Sequence, residues 1–253
     1  MKRIVIFVIL VLVAGVAGVV VRSSGGTAAE FRELVSHNNA NDVRQEIRQS
    51  YELAPGARVE LSGLNGAVNI ETSDTNKAEV FIERTAASQE ALDRRKVIVE
   101  ADANSLRIHG EKSDSSLIAR IFGSSAGERV TLKLPRRIAL YAKGVNGRVQ
   151  VGGAVGRATF KGINGNMVVG LRKLDSDGVT LSGINGNIEL QLAPDVNADF
   201  DARGMNGQVV SELPNVAIDR NKHGSYSGRI GSGGAGITAK GINGNIRFSR
   251  SNL

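Results

Sequence analysis

Few residues of this 253-residue chain stand at spacings that set up chemistry. Asp175-Ser176-Asp177-Gly178 puts two carboxylates ahead of a Gly bend, as a calcium loop begins, but the further oxygen ligands do not follow, so a polar turn is expected. Gly231-Ser232-Gly233-Gly234-Ala235-Gly236 has the glycine content of a phosphate cradle. The residues after it, Ile237-Thr238-Ala239-Lys240, read as a strand where a cradle needs a helix N-terminus, so a wide loop between repeats is expected. His37, His109 and His223 lie far apart, at no spacing that assembles a metal site or activates a serine. His109 is expected to point outward from a strand and His223 to sit in a polar loop. Cys is absent, which excludes disulfides, thiolate metal sites and lipidation of an N-terminal cysteine. The expectation is a non-enzymatic protein with no cofactor and no metal.

The cationic residues form a stronger pattern. Residues 1–135 hold 17 Lys and Arg against 17 Asp and Glu, whereas residues 136–253 hold 15 against 8, so the net charge of +7 resides in the second half. That half repeats a phrase, Gly-aliphatic-Asn-Gly, beginning at Gly144, Gly162, Gly183, Gly204 and Gly241, with an earlier copy at Gly63. Immediately before the first Gly stand Ser62, Lys143, Lys161, Ser182, Arg203 and Lys240. If the units stack in register, Lys143, Lys161, Arg203 and Lys240 form a basic stripe. Such a stripe holds an anionic envelope polymer or lipid surface through repeated, salt-sensitive contacts. The plainer reading of the same residues is a solvated face that keeps strands soluble. Nucleic acid is the least favoured partner, because no aromatic residues interleave for base stacking.

The elements that position this stripe follow from alternation. The last five copies begin 18, 21, 21 and 37 residues apart, which is a strand-turn-strand array from about residue 139 to the C-terminus. Aligned on the shared Asn, the position two before the first Gly is apolar in every unit: Leu61, Ala142, Phe160, Leu181, Ala202 and Ala239. After the turn come Val68, Val149, Met167, Ile188, Val209 and Ile246, then Ile70, Val151, Val169, Leu190, Ser211 and Phe248, with only Ser211 out of pattern. Each unit thus buries one face of two strands. Asn-Gly is a strong type I′ hairpin signal, so six ordinary hairpins are one reading. Against it, the residue between Gly and Asn is aliphatic in all six copies (Leu64, Val145, Ile163, Ile184, Met205 and Ile242) and a hairpin would turn it to the polar face. A coil corner would turn it inward, with the glycines taking the left-handed bend. Asn65, Asn146, Asn164, Asn185, Asn206 and Asn243 would then stack as an internal or corner amide ladder. Scarce aromatics (4%), no Trp and 31 Gly suit stacked aliphatic residues between tight turns.

Before the repeats, Lys2 and Arg3 precede an apolar run from Ile4 to Val21, enough to enter or cross a bilayer. A signal peptide with a small-residue site at Gly15-Val16-Ala17 and an uncleaved anchor both fit; the run continues past that site, which favours the anchor. The charge placement leaves the N-terminus in the cytoplasm and the rest outside. Residues 22–49 read as a polar tether, with a weak helical rhythm through Phe31, Leu34, Val35, Val43 and Ile47. Strands are expected from Ser50 onward, with a short helix at Ser88–Lys96 capped by Ser88, further strands at Val97–Glu100, Leu106–His109 and Val130–Leu134, and a close at Pro135.

The order Tyr51-Glu52-Leu53-Ala54-Pro55-Gly56-Ala57-Arg58-Val59-Glu60-Leu61, a first Asn-Gly unit, a charged helix-containing insert, Val130-Thr131-Leu132-Lys133-Leu134-Pro135 and serial Asn-Gly units resembles the bacterial putative adhesin family, a β-strand-repeat domain of undefined biochemical role. The Gly-rich stretch from Gly228 before the last unit is similar to that family's C-terminal region. The resemblance covers residues 50–253. It implies a solenoid-like β fold outside the cytoplasm, often behind an N-terminal membrane segment. Members commonly carry an acidic residue after Asn-Gly. Here Ala67, Arg148, Asn166, Asn187, Gln208 and Asn245 occupy that position.

The expected architecture is therefore all-β: a single-domain β-solenoid or β-helix-like array over residues 50–253 with one short helix in an insert, behind a signal peptide or anchor (1–21) and a tether (22–49). The expected role is extracytoplasmic, in the periplasm or at the cell surface, adhesin-like or envelope-binding through extended repeat faces by avidity. The alternative is a membrane-tethered regulatory or accessory ectodomain that docks one protein partner. A third reading, self-association through an open end, is opposed by the polar C-terminus Ser249–Leu253, which would serve as a cap.

Overall fold

The computed structural model describes residues 42–112, 126–221 and 224–251. The segment expected to be a signal peptide or anchor, most of the tether, His37 and His223 lie outside them. Among the described residues no helix is long and apolar enough to cross a membrane. The chain divides after Asp42, and the unit Val43–Leu253 carries the repeats.

That unit is all-β. Its strands in chain order are β1 Val43–Glu52, β2 Arg58–Ser62, β3 Gly66–Ser73, β4 Lys77–Ala86, β5 Arg95–Asp102, β6 Ser105–Lys112, β7 Gly127–Pro135, β8 Ala139–Lys143 and β9 Val149–Val155. They continue with β10 Ala158–Lys161, β11 Met167–Lys173, β12 Val179–Asn185, β13 Ile188–Leu192, β14 Ala198–Arg203, β15 Val209–Ser211, β16 Val216–Asn221, β17 Ser225–Ile230, β18 Ala235–Asn243 and β19 Ile246–Arg250. The one helix described, α1 (Gln89–Asp93), starts at Ser88, whose Oγ accepts from the Ala91 N–H at 3.2 Å. Ala91 and Leu92 pack in a small separate cluster with Ala86 and Ala126.

The strands form two sheets, a nine-stranded one in the order β1-β4-β7-β3-β9-β11-β13-β19-β15 and a ten-stranded one in the order β16-β17-β14-β18-β12-β10-β8-β2-β6-β5. In every unit the strand before Gly-x-Asn-Gly joins the ten-stranded sheet and the strand after it joins the nine-stranded sheet. The two therefore do not pair with each other, and the hairpin reading of Asn-Gly fails. Each strand pairs instead with its equivalent in a neighbouring unit, parallel and in register: Phe160 opposite Ala142 and Leu181, Met167 opposite Val149 and Ile188. Like positions stack, and the inner columns of both sheets close one aliphatic core. Leu64, Val145, Ile163, Ile184 and Ile242 are each 1% exposed, so the corner residue does turn inward. Ser211 breaks the column without penalty because it lies on β15, a three-residue edge strand.

Two glycine columns make the corner. The first Gly of each unit takes φ between 59° and 63°, the left-handed region where a side chain is strained. The second sits so close to the next corner that a Cβ on Gly165 would collide with the Gly147 carbonyl, and one on Gly186 with that of Gly165.

Two expectations need correction. The tether ends earlier than residue 49: β1 pairs antiparallel with β4 from Val43 to Glu52, because Val43, Ile47 and Tyr51 belong to a period-two alternation in which Gln45 and Gln49 share their face. The units do not stack in chain order. The last, β18 and β19, lies between the fourth (β12, β13) and the fifth (β14, β15), so the C-terminal strand β19, with Ser249 and Arg250, is internal to its sheet and not at an end where it would cap the stack. The antiparallel β17 and β16 continue the ten-stranded sheet beyond β14, which accounts for the 37-residue spacing of the last two copies.

The exposed corner carries the amide ladder. Nδ2 of Asn146 donates to Oδ1 of Asn65 at 2.9 Å, Asn164 to Asn146 at 2.9 Å, Asn185 to Asn164 at 3.1 Å, Asn243 to Asn185 at 2.9 Å and Asn206 to Asn243 at 2.9 Å. At its Asn65 end no further Gly-x-Asn-Gly unit follows. There Ala126 O accepts from Asn65 Nδ2, and the buried Glu128 carboxylate accepts the Asn65 N–H at 2.8 Å while paired with Arg95. Beside this pair lies the buried Arg84, whose pKa is lowered by desolvation against the opposing pull of Glu128.

Gly165→Ala is expected to lower unfolding stability by more than about 2 kcal/mol, whereas Gly236→Ala, with open space at its Cβ, is close to neutral. Equal urea midpoints for the two would show that the corner tolerates separation. Glu128→Ala, which strands Arg95 and the last corner N–H, is expected to cost about 3–5 kcal/mol in the same assay.

Candidate binding surfaces

The basic stripe assembles as expected. Register places Arg203, Lys240, Ser182, Lys161, Lys143 and Ser62 side by side across β14, β18, β12, β10, β8 and β2. His109 on β6 continues the row beside Ser62, a placement that its sequence position did not signal. Adjacent strands are about 4.8 Å apart, so Lys143 and Lys161 repel by on the order of 1 kcal/mol in a water-like dielectric, and a bridging anion relieves this. Lys143, Lys161, Arg203 and Lys240 are all exposed. Among the described residues Lys143, Lys161 and Lys240 have no ion-pair partner, whereas Arg203 Nε is 3.0 Å from Asp201 Oδ1. The free positive charge thus lies at Lys143, Lys161 and Lys240.

One alternate step back on the same face, the row reads Asp201, Thr238, Thr180, Thr159, Tyr141 and Glu60. Carboxylates stand only at its ends. The centre therefore sets lysines beside hydroxyl donors, a combination suited to anionic oxygens. Near Tyr141 the guanidinium of Arg58 lies 3.7 Å from the ring centroid and Arg157 pairs with Asp177.

The outer face of the nine-stranded sheet holds a second feature, a shallow groove of about 700 Å³. Its rim follows the residues just after Asn-Gly: Arg148, Asn166, Asn187, Asn245 and Gln208. The Oδ1 of Asn166 accepts the Asn187 N–H at 3.0 Å, that of Asn187 the Asn245 N–H at 3.0 Å, and that of Asn245 the Gln208 N–H at 2.9 Å. Since a backbone N–H only donates, the oxygen and nitrogen of each amide are assigned unambiguously. On the floor, Glu189 accepts from Gln191 Nε2 at 3.0 Å and from Ser249 Oγ at 2.8 Å. These two hydrogen bonds, with Arg247 nearby, hold the Glu189 carboxyl below the usual carboxylate range. The only sequence signal for this groove was the recurrence of an amide at one offset in Asn166, Asn187 and Asn245.

The other sequence motifs are consumed structurally. In the Gly-rich loop, the amides of Ser232 and Gly234 donate to Asn197 Oδ1 and Asp199 Oδ2, and those of Gly231 and Gly233 to Asn215 O and Ile230 O. No backbone donor of these four remains for a phosphate. Gly178 N closes a turn onto Asp175 O, as expected of a polar turn. Among the described residues no group of three His, Asp or Glu is placed to hold a metal ion. His109 is half-buried, with no hydrogen-bond partner at Nδ1 among the described residues.

No protein-family model matches this sequence, and no curated protein matches it. Among solved structures the chain is similar to a putative cell adhesion protein from Clostridium sporogenes at 12% identity, over 83% of this chain and 100% of that one, with a TM-score of 0.44. It is also similar to a putative adhesin from Bacteroides fragilis at 12% identity, over 81% and 97%, with a TM-score of 0.27. A putative lipid binding protein from Parabacteroides distasonis, at 12% identity over 84% and 96%, gives a TM-score of 0.26. At that identity and superposition the likeness carries neither a ligand nor a residue role to this chain.

Because its folded pKa lies below the unfolded value, Glu189 contributes stability above the unfolded carboxylate pKa, and that contribution is lost as pH falls through the lower folded value. An NMR titration is expected to place its midpoint below that of an ordinary Glu and to find it raised by Gln191→Met or Ser249→Ala. A wild-type midpoint in the ordinary range would show that these donors do not hold the carboxylate.

Proposed function

We propose that this chain is a non-enzymatic, extracytoplasmic β-solenoid, held near the membrane by residues 4–21 where these remain uncleaved, that binds an anionic polymer or lipid surface of the cell envelope. One observation carries the reading: Lys143, Lys161 and Lys240 stand exposed, without ion-pair partners among the described residues, in one register-aligned row. Parallel in-register stacking of unit on unit supports the solenoid description, and the adhesin-like role rests on the same repetition. Each lysine gives a weak contact in solvent. A polymer with charges at a comparable repeat engages several at once, so that avidity supplies the affinity. The hydroxyls of Thr159, Thr180, Thr238 and Tyr141 add donors beside the charges.

The test is co-sedimentation of the protein with purified cell-wall polymer and with anionic liposomes at low and high salt. Binding at low salt that disappears at high salt is expected, and a Lys143→Ser, Lys161→Ser, Lys240→Ser triple variant is expected to lose it. Arg203→Ser has a smaller effect, because Asp201 already neutralises that guanidinium. Salt-independent association, or binding unchanged in the triple variant, would favour a membrane-tethered ectodomain that docks a protein partner.

A further inference from the structure

We infer that the groove on the outer face of the nine-stranded sheet is a second binding site, for an extended, uncharged polysaccharide lying across β9, β11, β13, β19 and β15. This is independent of the lysine row, which belongs to the other sheet.

The first support is a line of fixed donors. Asn166, Asn187 and Asn245 each have Oδ1 occupied by the backbone N–H of the adjoining unit. That bond orients the amide and leaves Nδ2 without a partner among the described residues, with Arg148 before the line and Gln208 after it. The rotamer freedom that a binding surface normally loses is already lost in the fold, so each donor meets a ligand pre-organised. Stacking repeats the donors at about 4.8 Å, one per strand.

The second support is charge. A donor line alone would also suit a polyanion, but Glu189 stands ionised in the middle of the floor, held by Gln191 and Ser249. Arg247 is paired with Glu212 at 3.0 Å, so Arg148 and Glu189 leave the groove nearly balanced. A polyanion meets repulsion at its centre and a polycation meets Arg148 at one side. A carboxylate beside amide donors instead matches hydroxyl groups, which both donate and accept.

The third support separates a glycan from a peptide. A peptide gains affinity on a β-protein by adding a strand to a free edge or by filling apolar side-chain pockets. The groove lies on the face of the sheet, where the strands are already paired on both sides except at β15. Among the described residues its accessible apolar floor is limited to the half-buried Val168 and the exposed Val210. A chain of pyranose rings needs neither an edge nor deep pockets, and its residues recur at a spacing close to that of neighbouring strands.

The experiment is isothermal titration of the full-length protein in detergent micelles with soluble hexasaccharides of β-1,4-linked glucose, N-acetylglucosamine and mannose. At least one is expected to bind, insensitive to salt. Asn187→Asp keeps an oxygen to accept the Asn245 N–H and replaces the free amide donor with a charged acceptor oxygen; it is expected to weaken Kd about tenfold. Val168→Arg, which fills the floor, is expected to abolish binding. The Lys143→Ser, Lys161→Ser, Lys240→Ser variant is expected to bind these sugars as the wild type does, so failure here and failure of the lysine row are distinguishable. Absence of binding by all three sugars overturns the inference. So does sugar binding that survives both groove variants, or an unstructured polar peptide that binds the groove while the sugars do not.

Discussion

The structure depends on how closely two successive Gly-x-Asn-Gly corners can approach. Parallel strands in register require neighbouring units to sit one strand spacing apart along their whole length, corners included. At a corner the backbone turns from one sheet to the other, and any Cβ on the second Gly would occupy the position of the carbonyl of the adjoining corner. Glycine removes that obstacle, and the Asn amides then bridge the units at 2.9–3.1 Å. The corner N–H groups are satisfied by the carbonyl of the stacked aliphatic residue, as Asn146 N is by Leu64 O and Asn164 N by Val145 O. A turn that would otherwise leave unpaired backbone becomes a third hydrogen-bonded surface joining the sheets.

Repetition of this kind must be ended. At the Asn65 end the fold substitutes a side chain for the missing unit: Glu128 takes the N–H that a further corner carbonyl would have taken, and Arg95 balances its charge while also donating to Gly63 O at 2.7 Å. At the Asn206 end, Gly224 O accepts the Met205 N–H and the Tyr226 hydroxyl donates to Gly207 O at 3.0 Å. Both ends use residues that lie outside the repeat pattern. The ladder is thereby limited to six amides, in keeping with the need of stacked-repeat proteins for distinct terminal units.

The same stacking creates the two surfaces. Whatever residue occupies a given offset is copied along a row at strand spacing, so a modest bias becomes a patterned face: lysine before the first Gly on one sheet, amide after the second Gly on the other. These rows differ in how firmly they are held. Lysines on the ten-stranded sheet are exposed and free to reorient, suited to a diffuse charged partner. The amides on the nine-stranded sheet are tied to backbone and present a fixed geometry.

Much of this was legible from residue order. The all-β character, the inward aliphatic at each corner, the left-handed first glycine, the Ser88 cap and the alignment of Lys143, Lys161, Arg203 and Lys240 all follow from local alternation and from the steric needs of one turn. Those are short-range constraints that each unit states for itself. Sequence could not give the order of the units. Every unit presents the same apolar columns, so the strands containing Asn243 pack as well against those of Asn185 as those of Asn206 would; the connection through β16 and β17 decides. Nor could sequence reveal the role of Glu128, the start of β1 at Val43, or the pre-organised amides of the groove. Each arises from partners more than twenty residues away, at positions where the local pattern is silent and only packing supplies the contact.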